Sequence, residues 1–184
     1  SELYAEISLG TPPQSFKTVL DMAHNDFWVP SSKCGSLNIP CKTHNKYDCT
    51  NSTTYKEDGS KFKVKYKIGS ASGFLSQDKF CMSSSICIED QTFGEATSES
   101  ISPFADAIHD GILGMGFSEG SFLSNLMEDD LIEDSLFSIW LNSKPFQKTG
   151  NSQLLLGEID ASLYTGNITY LPLNSDSVWK VGMK

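Results

Sequence analysis

Apolar and polar residues alternate over residues 3–10, and Thr11-Pro12-Pro13-Gln14 then turns the chain into an apolar run over residues 16–20. Period-two patterning around a Pro-rich turn predicts a hairpin that ends on Asp21. A second hairpin is predicted from residues 62–66 and 74–80 around residues 67–73, and residues 86–96 predict a further strand pair. Residues 108–117 carry Gly111, Gly114 and Gly116, which permit close backbone approach. Ser121 before Phe122-Leu123-Ser124-Asn125-Leu126-Met127 is a helix start, and Glu128-Asp129-Asp130 reads as that helix's solvated exit rather than a metal site. Strands are expected over residues 136–142, 153–159 and 168–173, and Val178-Trp179-Lys180-Val181 begins one more apolar run. Residues 31–60 are polar and turn-rich, as in a surface excursion. With little sustained helical periodicity, the pattern specifies a mainly β architecture.

Length and charge narrow this picture. A chain of 184 residues suits one lobe with one core, and a net charge of −9 speaks against a nucleic-acid partner. The lysines look scattered, as on a solvated face, with no basic membrane-binding patch. No window resembles a transmembrane helix, so no membrane insertion is expected. Ser1 opens directly on a strand, as in a processed or trimmed chain.

The five cysteines add chemistry. Cys34 and Cys41 bracket one short loop, and Cys81 and Cys87 bracket another at a hairpin end, spacings that suit local disulfides. A metal site is the competing reading, but the spacings are not those of a zinc knuckle, and His24, His44 and His109 are dispersed. No metal or other cofactor is expected. Cys49 is left over: buried and free, bonded to another chain, or paired with a segment outside this sequence. Asn51-Ser52-Thr53 and Asn167-Ile168-Thr169 are glycosylation acceptors on a secretory route. Disulfides and acceptors together point to a secreted or endosomal/lysosomal protein.

The most informative stretch is Val19-Leu20-Asp21-Met22-Ala23-His24-Asn25-Asp26-Phe27-Trp28-Val29-Pro30. A carboxylate at the mouth of an apolar strand needs a satisfying network or a chemical task. Several further motifs follow in order: Glu6-Ile7-Ser8-Leu9-Gly10-Thr11-Pro12-Pro13-Gln14 before it, Tyr66 with Gly69-Ser70, Asp110-Gly111-Ile112-Leu113-Gly114, Phe137-Ser138-Ile139-Trp140-Leu141, and Leu156-Gly157-Glu158-Ile159-Asp160. Together they resemble the N-terminal lobe of pepsin-like aspartic proteases, most closely cathepsin D-like members. The resemblance implies a lobe over residues 1–172, the start of an interlobe strand over 173–184, and no C-terminal lobe within this sequence. It places Asp21 at the first catalytic aspartate, Trp28 in the cleft wall, and Tyr66, Gly69 and Ser70 in a flap whose tyrosine hydroxyl reaches the Trp28 indole. It also places bridges at Cys34/Cys41 and Cys81/Cys87, and a bracing loop at 110–114.

The departures from the family are concentrated at the chemistry. Where the family has Asp-Thr-Gly followed by a hydroxyl residue, this chain reads Asp21-Met22-Ala23-His24, and no second such motif occurs. Met22 lacks the interlocking hydroxyl, Ala23 keeps its N–H but adds a Cβ, and His24 is a titratable replacement, expected as a surface loop residue rather than a partner of Asp21. Lys67 and Ile68 stand where the family's flap tip clamps substrate. Pepsin-like catalysis needs two carboxylates sharing one proton. The expectation is therefore an inactive homologue that binds a peptide or protein ligand. The alternative is an endopeptidase completed by a second copy or a second chain, docked through the edge near Trp179.

Overall fold

The computed structural model describes residues 3–142 and 152–182. Among these residues nine strands dominate: β1 (Tyr4–Leu9), β2 (Gln14–Asp21), β3 (Phe27–Pro30), β4 (Lys56–Lys65), β5 (Ser70–Cys81), β6 (Cys87–Glu99), β7 (Gly111–Gly114), β8 (Phe137–Trp140) and β9 (Gln153–Leu156). The helices are short: α1 (Pro40–Thr43), α2 (Ile101–Phe104) and α3 (Phe122–Glu128). The chain is a mainly β lobe, as its patterning and resemblance imply.

Seven strands form one sheet in the order β1-β2-β7-β3-β6-β5-β4, and β1 also meets the end of β5, so the sheet curls back on itself. β2–β7 and β3–β6 are parallel, while β3–β7 is antiparallel. This weave sets Asp21, the last residue of β2, opposite Gly114. The main core gathers Leu9, Phe16, Phe27, Phe80, Phe93, Leu113 and Phe122. A second cluster joins Trp28, Phe62, Val64, Ala71, Phe104 and Ile112. α3 starts where expected, with Ser121 Oγ accepting the Ser124 N–H at 3.3 Å, and its acidic exit is exposed.

Several expectations are corrected. The second hairpin begins at Lys56, not at residue 62, and turns tightly, with the Tyr66 N–H donating to the Gly69 carbonyl at 3.0 Å. Residues 86–96 are not a strand pair: 87–96 belong to the single strand β6, and Ile86 closes the turn before it, its carbonyl accepting the Met82 N–H at 3.0 Å. Inside β6, a Cβ at Gly94 would stand 2.8 Å from the Phe62 ring. The glycine makes room for an aromatic on the strand. Residues 168–173 form no strand, and only the isolated bridge Leu173↔Val181 marks this region. Ile168, Tyr170, Leu171 and Leu173 are exposed, and among the described residues no strand lies alongside 168–172 to take their backbone groups.

The excursion after β3 is less superficial than its polarity suggests. Tyr47 is fully buried, and its hydroxyl donates to Asp78 at 2.5 Å. Nor are all the lysines scattered. Lys61, Lys63, Lys65 and Lys67 are exposed at alternate positions along β4 and into the flap turn, while Phe62 and Val64 between them are buried.

Candidate functional site

β2 ends at Asp21 and the chain resumes as β3 at Phe27, leaving residues 22–26 as a tight turn. The segment following β2's partner strand holds that turn from beneath. Met115 N–H donates to the Asp21 carbonyl at 2.8 Å, Gly116 N–H to His24 O at 3.0 Å, and Gly114 N–H to Asp26 O at 3.0 Å. Asn25 Oδ1 accepts the Ser118 N–H at 3.0 Å. A Cβ at Gly114 would lie 2.4 Å from the Asn25 carbonyl carbon, so only glycine lets the two backbones meet. The bracing loop foreseen at residues 110–114 is thus in place.

Inside this frame the Asp21 carboxylate is engaged by its own loop. Oδ1 accepts the Ala23 N–H at 2.8 Å, and Oδ2 faces His24 Nδ1 at 2.8 Å. The Asp21 side chain is 18% exposed and that of His24 37%. His24 is therefore not the unengaged surface residue expected from sequence. Its ring also stands edge-on to Tyr66, with centroids 5.0 Å apart. Met22 turns away from such chemistry and packs against the main core.

Trp28 and Tyr66 meet as the resemblance implies. The fully buried Trp28 donates its indole N–H to the Tyr66 hydroxyl at 2.8 Å, and Phe104 packs edge-on against the indole at 5.3 Å. Burial pushes the Tyr66 phenol well above its ordinary range, so it stays a neutral hydrogen-bonding group. Gly69 adopts φ +92°, and a Cβ there would sit 2.6 Å from Pro103 Cδ. Ser70 is committed to strand pairing, its N–H donating to Ser100 Oγ at 2.8 Å. At the flap tip Lys67 and Ile68 are exposed, Ile68 by 64%.

Sequence reasoning missed Asp26. This half-buried carboxyl is held above its ordinary range by burial; the nearby His24 opposes the rise and Asp21 adds to it. It lines a pocket of about 280 Å³ with Asn25, Phe62, Leu75, Thr92 and Ser118. An acid immediately before the apolar Phe27-Trp28-Val29 run was the available signal.

The disulfides Cys34–Cys41 and Cys81–Cys87 are both formed, and Cys49 is a free, half-buried thiol against the main core. Asn51 and Asn167 are both exposed, although the Asn51 amide donates to Asp48 Oδ2 at 3.1 Å. Trp179 packs against Phe117 and Phe137 at 4.8 and 5.2 Å and donates its indole N–H to the Met115 carbonyl at 2.7 Å. Among the described residues no helix is long and apolar enough to cross a membrane.

Comparison with known proteins agrees with this geometry. The profile of the eukaryotic aspartyl protease family matches residues 2–184. Vacuolar protease A of Neurospora crassa is 41% identical over 98% of this chain and 46% of its own length. Cathepsin D of Gallus gallus is 41% identical over the whole chain and 47% of its own length, and cathepsin D of Dictyostelium discoideum is 39% identical over the whole chain and 49% of its own. The chain spans about half the length of these curated relatives. With its braced Asp21 turn and flap hairpin, it belongs to the eukaryotic aspartyl protease family.

Proposed function

We propose that this lobe binds an extended peptide or protein segment between the Asp21 turn and the flap without cleaving it. The observation that carries this reading is the Asp21 carboxylate, both of whose oxygens are engaged by Ala23 and His24 of its own loop. Pepsin-like hydrolysis needs a carboxylate free to share a proton and polarise a water with a second carboxylate. His24 Nδ1 sits 2.8 Å from Asp21 Oδ2, where a shared proton or an attacking water would otherwise be held. Its ring also stands in the space beside the carboxylate. Losing one general acid or base typically lowers the rate roughly 100- to 10,000-fold. The Tyr66–Trp28 pair and the glycine frame, by contrast, keep the cleft's wall and flap ordered.

The test is a peptide-cleavage assay at acid pH on the purified protein beside Asp21→Asn. Equal, background-level turnover in both is the expected outcome. Cleavage by the wild type that disappears in Asp21→Asn overturns the proposal.

A second reading is supported by the exposed apolar residues Leu171, Leu173, Trp179 and Val181 beside the Phe117–Phe137–Trp179 aromatic cluster. A second lobe docked there, from another chain or a second copy, would bring another carboxylate toward Asp21. Native mass measured without reductant separates the two: a doubled mass, or a second chain of comparable size, favours the completed enzyme. A secreted or endosomal/lysosomal setting is part of the proposal. It is supported by the two disulfides and the exposed Asn51 and Asn167 acceptors.

A further inference from the structure

A lysine row runs along β4 and ends in the flap turn, and its three β4 members, Lys61, Lys63 and Lys65, have no role in the reading above. Lys61, Lys63, Lys65 and Lys67 occupy alternate positions, all exposed, and among the described residues none of the four takes part in an ion pair. At about 3.4 Å per residue, their Cα atoms repeat about every 7 Å along one face. Across the strand pair, Lys61 faces Phe74, Lys63 faces Ser72 and Lys65 faces Ser70, so the cations stand beside hydroxyls and one half-buried aromatic. Lys33, on the excursion after β3, lays its ammonium over that Phe74 ring at 4.7 Å and adds a fifth cation nearby. Glu57 lies at the start of the irregularity that precedes Lys61, and Asp58 lies within it. In a chain of net charge −9 this is a local inversion of sign.

The backbone of the same residues adds a second feature. β4 is the end strand of the sheet, and among the described residues no strand pairs with its outer edge. The Tyr66 N–H points to Gly69, so Tyr66 bonds toward β5. In an antiparallel pair, bonding direction alternates residue by residue. Val64 and Phe62 therefore also bond toward β5, while Lys61, Lys63 and Lys65 direct their N–H and C=O groups to the open edge. Each of these residues offers an incoming strand a cation, a donor and an acceptor together. A second β4 laid antiparallel would set lysine against lysine, which disfavours self-pairing.

We infer that the outer edge of β4 is a docking site for an extended acidic peptide, with Asp or Glu at alternate positions, that adds to the sheet as an eighth strand. A period of two residues in the ligand matches the lysine period by geometry, and the open edge supplies main-chain hydrogen bonds that a sulfated polysaccharide or a lipid surface does not use. The site goes beyond the cleft reading, because the lysine side chains alternate with Phe62 and Val64, which pack inward.

The probe is a fluorescein-labelled peptide of alternating Glu and Thr, titrated with the whole chain at low salt and followed by anisotropy. One control has the same composition with its glutamates in a single block. Another is the alternating peptide N-methylated at the amides that would face β4. Saturable binding of the alternating peptide is expected, weakened roughly tenfold by Lys63→Ser with Lys65→Ser and retained with Lys63→Arg and Lys65→Arg. Both control peptides are expected to bind more weakly than the alternating one. Because these side chains are exposed, thermal melts of the variants should match wild type. Three outcomes overturn the inference: no saturable binding, equal binding of all three peptides, or binding of a heparin oligosaccharide that shows the same lysine dependence and displaces a peptide indifferent to N-methylation.

Discussion

Asp21 and Glu99 each close a strand, β2 and β6, and their carboxylates meet opposite surroundings. Asp21 is partly open to solvent, and each of its oxygens has a partner within its own turn. Glu99 is 3% exposed, and among the described residues its Oε2 has no hydrogen-bond partner. Burial, reinforced by the nearby Asp110 carboxylate, pushes the Glu99 carboxyl up to about 7. The contrast is one of donors: the Asp21 turn supplies an N–H and an imidazole, whereas Asp110 beside Glu99 spends its own oxygens on the Lys17 and Asn45 N–H groups. Glu95, four residues earlier on β6, shows the alternative, fully buried but tied by the Ser31 and Ser76 hydroxyls. Location alone does not decide whether a buried acid is satisfied; the donors around it do.

The largest expected effect sharpens the Glu99 side. The folded protein holds the Glu99 proton more tightly than an unfolded chain, in which a glutamate titrates near about 4.3. Its contribution to stability is thus intact below that range and is lost as pH rises towards about 7. The gap corresponds to about 4 kcal/mol. Urea unfolding at pH 4.5 and 7.5 should show the difference, and Glu99→Gln should flatten it while raising stability at the higher pH. A wild-type profile that does not fall through this window breaks the comparison.

A smaller effect comes from making an orphan where none exists. Tyr66→Phe removes the acceptor from the buried Trp28 indole N–H, at a cost of about 1–3 kcal/mol in the same unfolding assay. The smallest is expected at Asp21. Because His24 is more than a third exposed, His24→Ala should lower stability by less than about 1 kcal/mol, as water replaces the imidazole. A loss as large as that of Tyr66→Phe would mean that the Asp21 pair behaves as a buried one.

Much of the Asp21 frame was legible because its parts are local and ordered: the strand, the turn, the Phe27-Trp28-Val29 run and the glycines of the bracing segment. The ring contact of His24 with Asp21 was available from a three-residue spacing across a tight turn, but a histidine in a polar loop has many other resting places. What stayed hidden depends on residues distant in sequence. Gly94 belongs inside β6 only because Phe62 lies over it, and Tyr47 is core only because Asp78 receives its hydroxyl. Residues 168–173 carry strand-forming side chains, yet a strand also needs a neighbour, which composition cannot report. The lysine row was legible by parity along β4, but its open edge emerges only from the strand order.

Trp179 has an optical consequence. The chain has three tryptophans: Trp28 has no exposed surface, Trp140 is half-buried, and Trp179 is 42% exposed with its indole N–H tied to Met115, directly beside the bracing segment. Iodide should therefore quench Trp179 most strongly and leave the Trp28 emission intact. Anything that settles over the Phe117–Phe137 surface would shield that fluorophore, making the protein its own label for docking on this face.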